Sequence, residues 1–275
     1  ITNGGEEGRD MSTYETPLIL FTVLSQLSIG LVAVSSLQFA GGGTETGKFR
    51  TGWMVACGVL VVGMFASLFH LGHPFGSFRA ITHLGSAWLS REALSTGLLL
   101  TLLIAGIVLM REQLRLDLTV ITGVVGLITI LCMGMTYSPP SFPALNNGLP
   151  FVFFLLTAVL LGSSCGVLFA SDSGKLVLEK ILTISLIVGL IIYLVVPCIW
   201  ASGGEIMQQT GRLWFGSSLF WGRVIVGLAA PLAIILKMKQ VPNWLWVVIL
   251  VGELMGRAVF FGNTVHTAAN MGGLY

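Results

Sequence analysis

The residues with chemistry in them are few, and they lie close together. The stretch FHLGHPFGSFRAITHLGSAWLSREALSTG places His70, His73, Arg79, His83, Arg91 and Glu92 within 23 residues. A second polar group, GELMGRAVFFG, carries Glu253 and Arg257 four positions apart, and His266 follows it. Four positions make about one helical turn, so the two side chains share a face and can pair. A histidine or carboxylate beside a hydroxyl can take its proton, and an arginine or histidine can hold a second oxygen. Those are the needs of quinol oxidation, which releases two protons and two electrons. No recognisable electron acceptor is present in the chain, so a redox role requires one on a partner docked nearby.

Each of these residues also has a plainer reading, and both stay open at this point. His73 and His83 fit interfacial loop residues. His70, next to Gly72 and Pro74, fits a helix-end histidine bonded to backbone. Glu92 fits a first-turn carboxylate favoured by the helix dipole. Glu253 and Arg257 fit glue between helices. A b-type haem needs paired histidines on facing helices. The four histidines here all fall to one side, and His70 with His266 is the pairing that could form a site in principle. His70 and His73 sit at one helix end and would not clamp a porphyrin from both faces. The reading is therefore no haem and no metal in this chain. Cys57, Cys132, Cys165 and Cys198 are far apart with no CxxC pair, which excludes an iron–sulfur or zinc framework and fits small residues in helix packing. The tryptophans mostly flank apolar runs and fit an aromatic belt.

The elements that must hold this cluster follow from composition. Of 275 residues, 55% are hydrophobic and 9% charged, and the mean hydropathy is +0.91. A soluble domain carries roughly 25% charged residues, so a soluble globule and a disordered chain are both excluded. No basic, aromatic-interleaved patch suggests nucleic acid; the surrounding partner is lipid. Eight apolar runs are visible: 17–40, 53–70, 92–110, 118–137, 150–170, 176–200, 219–238 and 243–261. Each is long enough, or nearly so, to cross about 30 Å of hydrocarbon as a helix. The expected fold is an all-α integral membrane protein, a bundle of eight transmembrane helices forming a single domain over 11–275. Residues 1–10 (ITNGGEEGRD) precede Met11, which reads as a natural start; they are expected to be a flexible extension, an upstream segment or a scar.

Basic residues favour the cytoplasmic side. Lys48, Arg50, Arg111, Arg115, Lys175, Lys180, Lys237 and Lys239 fall on one side; Arg79, Arg91, Arg212 and Arg223 fall on the other. Both termini are therefore expected outward, on the periplasmic side of a bacterial inner membrane. At about 1.5 Å per residue, His70, Glu92 (expected to open the third helix), Arg257 and His266 come to similar depth near the outer face. In a chain this short of charge, ionisable groups inside a span are functional candidates by default.

The stretches ETPLILFTVLSQ, ASLFHLGHPFGSFRA, LSREALSTG and GELMGRAVFFG resemble the membrane-anchor subunit of bacterial dimethyl sulfoxide reductase, the DmsC family, from Met11 to about Gly273. The resemblance implies eight spans with both termini outward. It also implies a complex with a molybdopterin catalytic subunit and an iron–sulfur subunit, used in anaerobic respiration. Menaquinol is then oxidised near the periplasmic face, and electrons pass to the iron–sulfur partner. A histidine in the HLG motif and a glutamate at the start of the next helix, matching His70 and Glu92, are tied to quinol oxidation in that family. Gly252, Glu253, Gly256 and Arg257 match a further motif whose role is less defined, and His73 is an additional histidine in HLGHP. Two rivals stand beside this: a purely structural anchor, and a proton-coupled transporter. A transporter would favour midplane carboxylates and an internal repeat; Glu253 is the one good candidate, and no repeat is visible.

Overall fold

A computed structural model describes residues 11–40, 46–69, 83–110 and 115–268. His70, His73 and Arg79 lie outside the described residues, as do residues 1–10.

The regular elements among the described residues are helices, with no strand. In chain order the helices are α1 (Met11–Ala40), α2 (Thr46–Leu68), α3 (Trp88–Leu109), α4 (Leu116–Thr136), α5 (Leu149–Gly166), α6 (Asp172–Trp200), α7 (Glu205–Gly216), α8 (Ser218–Val224), α9 (Ala230–Met238) and α10 (Leu245–Gly262). A π-helical turn, Ile225–Ala229, joins α8 to α9, so 218–238 forms one continuous span. Eight segments are long and apolar enough to cross a membrane, and they coincide with the eight runs read from hydropathy. The spans alternate in direction. We call the end where α3 and α5 begin, and α4 and α10 finish, the upper end.

The bundle is built around two helices. The apolar windows of α1 and α5 are each 72% buried, whereas the other six spans bury between 28% and 44%. Those six turn residues such as Phe65, Ile104, Ile184 and Leu236 outward, as helices facing lipid must. The α1–α5 crossing depends on small residues: a Cβ on Gly30 would collide with the Ala158 carbonyl and Gly162. Gly227, in the π turn, meets Gly252 of α10 in the same way. Lipid gives no hydrophobic drive between helices, so close backbone approach supplies the packing instead.

Three local outcomes differ from expectation. α7 lies inside what reads as a loop. It is amphipathic rather than apolar, and it buries Thr210, Gly211 and Trp214. Trp53, Trp200 and Trp214 belong to the core rather than to a belt, being essentially inaccessible. Trp214 meets Trp200 edge-on at 4.9 Å. Finally, α3 starts at Trp88, after an extended Ala87. Glu92 is therefore one turn inside the helix, with no acidic residue in the first turn. This removes the helix-dipole reading of Glu92, because that effect fades within the first turn.

Candidate functional site

Two buried polar centres occupy the bundle, one near the upper end and one reaching from mid-span towards it. The first is on α3. Ser90, Glu92, Ser95, Thr96, Leu99 and Leu103 recur at helical spacing and are buried, which defines the face that packs on α4. Glu92 is 2% exposed. Thr136, at the end of α4, is its side-chain neighbour, and its Oε2 has no hydrogen-bond partner among the described residues. Arg91, adjacent in sequence, points elsewhere. It donates to the carbonyls of Leu84 and Gly85, both at 2.9 Å, and its guanidinium covers the Trp88 ring at 4.2 Å. Arg91 thus fastens the turn leading into α3 and leaves Glu92 without a cation from its own helix.

The second centre joins α1, α5, α8 and α10. Glu253 and Arg257 lie on the buried face of α10, yet they are not ion-paired with each other. Glu253 Oε1 instead contacts Arg223 Nη2 of α8 at 2.6 Å, and its Oε2 accepts from Thr157 Oγ1 at 2.8 Å. Arg257 Nη2 donates to Gln26 Oε1 of α1 at 2.7 Å and to Thr157 Oγ1 at 3.2 Å. Thr157 is therefore the link between the two motif residues. Its single proton is shared between Glu253 and the Phe153 carbonyl, 2.9 Å away. A shared helix face was correctly expected, but the partners were set by the neighbouring helices. Each charge at this depth needs a partner in good geometry, and Arg223 brings one from α8.

Arg223 had the look of an outer-side charge. It is fully buried, its guanidinium lies 4.9 Å from the Tyr193 ring centroid, and glycines make room for it. A Cβ at Gly227 would stand 2.9 Å from Arg223 Nη1, and one at Gly256 would stand 3.0 Å from Arg223 Cδ. Arg257 lies over the Phe154 ring at 4.0 Å, where the aromatic face favours a cation. Tyr137 neighbours both centres. It meets Phe154 edge-on at 5.6 Å, and both Glu92 and Arg257 act on it electrostatically.

The remaining histidines within the described residues stand apart from these centres. His83 is exposed, and its carbonyl caps the turn before α3. His266 is exposed; its Nδ1 accepts from Ala268 N at 2.9 Å, and its ring meets Phe142 edge-on at 4.9 Å. Gln26, Thr157 and Tyr137 drew no attention in the sequence because an isolated neutral polar residue in an apolar run carries no signal of its own.

Chemically, the bundle holds two guanidinium groups and one carboxylate in the second centre, and one further carboxylate, Glu92, in the first. One pole offers hydrogen-bond donors and positive charge. The other offers an acceptor.

Residues 10–263 match the family described as DMSO reductase anchor subunit (DmsC). The sequence is 32% identical over 158 residues to a chain of the anaerobic dimethyl sulfoxide reductase of Haemophilus influenzae, covering 54% of this protein and 56% of that one. It is 27% identical to the chain of the same name in the Escherichia coli enzyme over 280 residues, covering 94% and 97%. A shorter match, 33% over 109 residues and about a third of each protein, is to a subunit of the sulfite dehydrogenase of Allochromatium vinosum. With the match spanning almost every described helix, the chain belongs to the DmsC family of DMSO reductase anchor subunits.

Proposed function

We propose that this anchor is the quinol-oxidising subunit of its complex. Menaquinol enters from the bilayer and binds at the upper end, between the Glu92 pole and the Arg257 pole. Glu92, with His70 on the segment between α2 and α3, accepts protons from the quinol hydroxyls. Arg257 holds the ring from the other side, Glu253 keeps the charges around Arg257 in place, and His73 is a further candidate for quinol binding. The two electrons leave to an iron–sulfur partner subunit and from there to a molybdopterin catalytic subunit, as in anaerobic respiration with dimethyl sulfoxide or a related oxidant. The relatives' names differ in the reaction of the whole complex, reductase in one case and dehydrogenase in another, which fits a terminal reaction that lies outside the anchor.

The upper end is the periplasmic face of the bacterial inner membrane in this reading. With Arg223 buried as the partner of Glu253, the basic residues at the upper end fall to Arg79, Arg91 and Arg212. The eight at the lower end are unchanged, so the bias that sets orientation is steeper than it looked.

The observation that carries the proposal is Glu92: a carboxylate within a span, 2% exposed, with a free acceptor oxygen and no ion pair among the described residues. A purely structural anchor has no use for it. The test is Glu92→Gln in the assembled complex. Quinol-dependent turnover should fall by about a hundredfold or more, the scale of a lost proton acceptor. Turnover driven by a dye that reduces the partner subunits directly should persist. Normal quinol-dependent turnover would sink the proposal and favour the structural anchor.

A further inference from the structure

Gln26 has no part in the reading above. It ends the ETPLILFTVLSQ stretch, lies on the central helix α1 and is completely buried. Arginine has donors and no acceptor, so the amide must turn its oxygen to Arg257; Nη2 donates to Oε1 at 2.7 Å. That orientation sends the amide N–H2 the other way. Gln26 Nε2 is buried and has no partner among the described residues, and the same is true of Arg257 Nε and Nη1. Buried polar atoms nearly always have partners. Among the described residues, three donor nitrogens therefore meet here with no acceptor, while Glu92 Oε2, whose carboxylate neighbours the same Tyr137 side chain as Arg257, is an acceptor with no donor. A molecule complementary to both has an accepting oxygen at one end and a hydroxyl to give at the other. A quinol is such a molecule.

We infer that Gln26 is a further ligand-contacting residue of the quinol site. Its carbonyl fixes Arg257, and its amide N–H2 donates, beside Arg257, to the ring oxygen remote from Glu92. Gln26 transfers neither proton nor electron; it sets affinity and ring orientation. The inference rests on the quinol reading, and the experiment separates the two.

The assembled complex in membrane vesicles is assayed with reduced 2,3-dimethyl-1,4-naphthoquinone as donor, and separately with a dye that bypasses the anchor. Gln26→Leu should raise KM for the naphthoquinol about tenfold, the weight of one lost hydrogen bond in a buried site, with kcat nearly kept. Gln26→Glu still presents an oxygen to Arg257 but, when ionised, has no N–H to give; it should raise KM as well. Wild-type KM in Gln26→Glu overturns the inference whatever Gln26→Leu does, because holding Arg257 would then suffice. Wild-type KM in Gln26→Leu also overturns it, leaving ordered water as the partner of the amide. If Gln26→Leu fails to assemble, shown by lost dye-driven turnover, the isosteric Gln26→Glu decides alone. Glu92→Gln run alongside tells the two failures apart: inactive with quinol, it leaves the site standing without Gln26; fully active, it removes the quinol reading itself.

Discussion

Glu92 and Glu253 are buried to the same extent, each 2% exposed, in one bundle, yet their surroundings are opposite. Glu253 is engaged on both oxygens, by Arg223 and by Thr157, and the helices around it are shaped to permit this. Gly227 and Gly256 clear space for the Arg223 side chain, and the π turn carries Gly227 against Gly252. Glu92 has Thr136 beside it and one oxygen with no partner among the described residues. Burial depth therefore does not separate a structural carboxylate from a chemically available one. The partner set does. A carboxylate bound at both oxygens holds helices together, and one with an empty lone pair can accept a proton.

The widest break in this comparison comes from removing one side of the Glu253 pair. Arg223→Leu leaves a carboxylate uncompensated inside the bundle and should cost about 3–5 kcal/mol, the scale for orphaning a buried charge. Thermal unfolding of the purified protein in mild detergent measures it. Replacing both partners, with Arg223→Leu and Glu253→Leu together, should recover most of that loss, because apolar pairs of similar size commonly match a buried ion pair. A double variant as unstable as the single one would mean that Glu253 is held mainly by other groups.

A smaller effect tests the link between the two motif charges. Thr157→Val keeps the shape and removes the hydroxyl, so Glu253 Oε2 loses its donor and Arg257 loses one acceptor while keeping Gln26. The expected cost is about 1–3 kcal/mol, that of leaving a buried acceptor unsatisfied. The loss should shrink in a Glu253→Leu background, where no acceptor remains to be orphaned. An undiminished loss would locate the role of Thr157 in its own helix, through the Phe153 carbonyl.

The bundle was legible in the sequence because a span is a long-range average: eight apolar runs survive any local irregularity, and all eight spans stand where hydropathy puts them. The site was legible in part. Scarcity of charge pointed to Glu92, Glu253 and Arg257, and all three are buried. What hydropathy and i,i+4 spacing could not supply was the choice of partners. Spacing on α10 puts Glu253 and Arg257 on one face, but which helix meets that face is a property of the packed bundle. Arg223 sits one turn into α8, where charge alone cannot distinguish an interfacial residue from a buried one. Gln26 and Thr157 are uncharged, and each lies in a run otherwise read as lipid-compatible. α7 escaped for the converse reason, since its alternating faces average to a loop. Glu92 shifted from the mouth of α3 to its interior because Ser90 and Arg91 are helical despite being polar, with Arg91 tied back to Leu84 and Gly85.

The smallest expected change is the most diagnostic of the contrast between the two glutamates. Glu92→Gln keeps size and shape, and it breaks no ion pair among the described residues. It should therefore alter unfolding in detergent by less than about 1 kcal/mol, in either direction, since a carboxylate without a counter-charge contributes little to the fold beyond the hydrogen bond an amide can also make. The Glu253→Gln change, equally conservative on paper, discards the charge that Arg223 requires and should destabilise by several times as much, about 3 kcal/mol or more. A Glu92→Gln protein that unfolded as readily as Glu253→Gln would show that Glu92 has a cationic partner after all. Arg79, on the segment between α2 and α3 that leads directly into Glu92's helix, is the first place to look for it. Removing Arg79 would then reproduce the loss, and Glu92 would join Glu253 as a residue of the scaffold rather than of the chemistry.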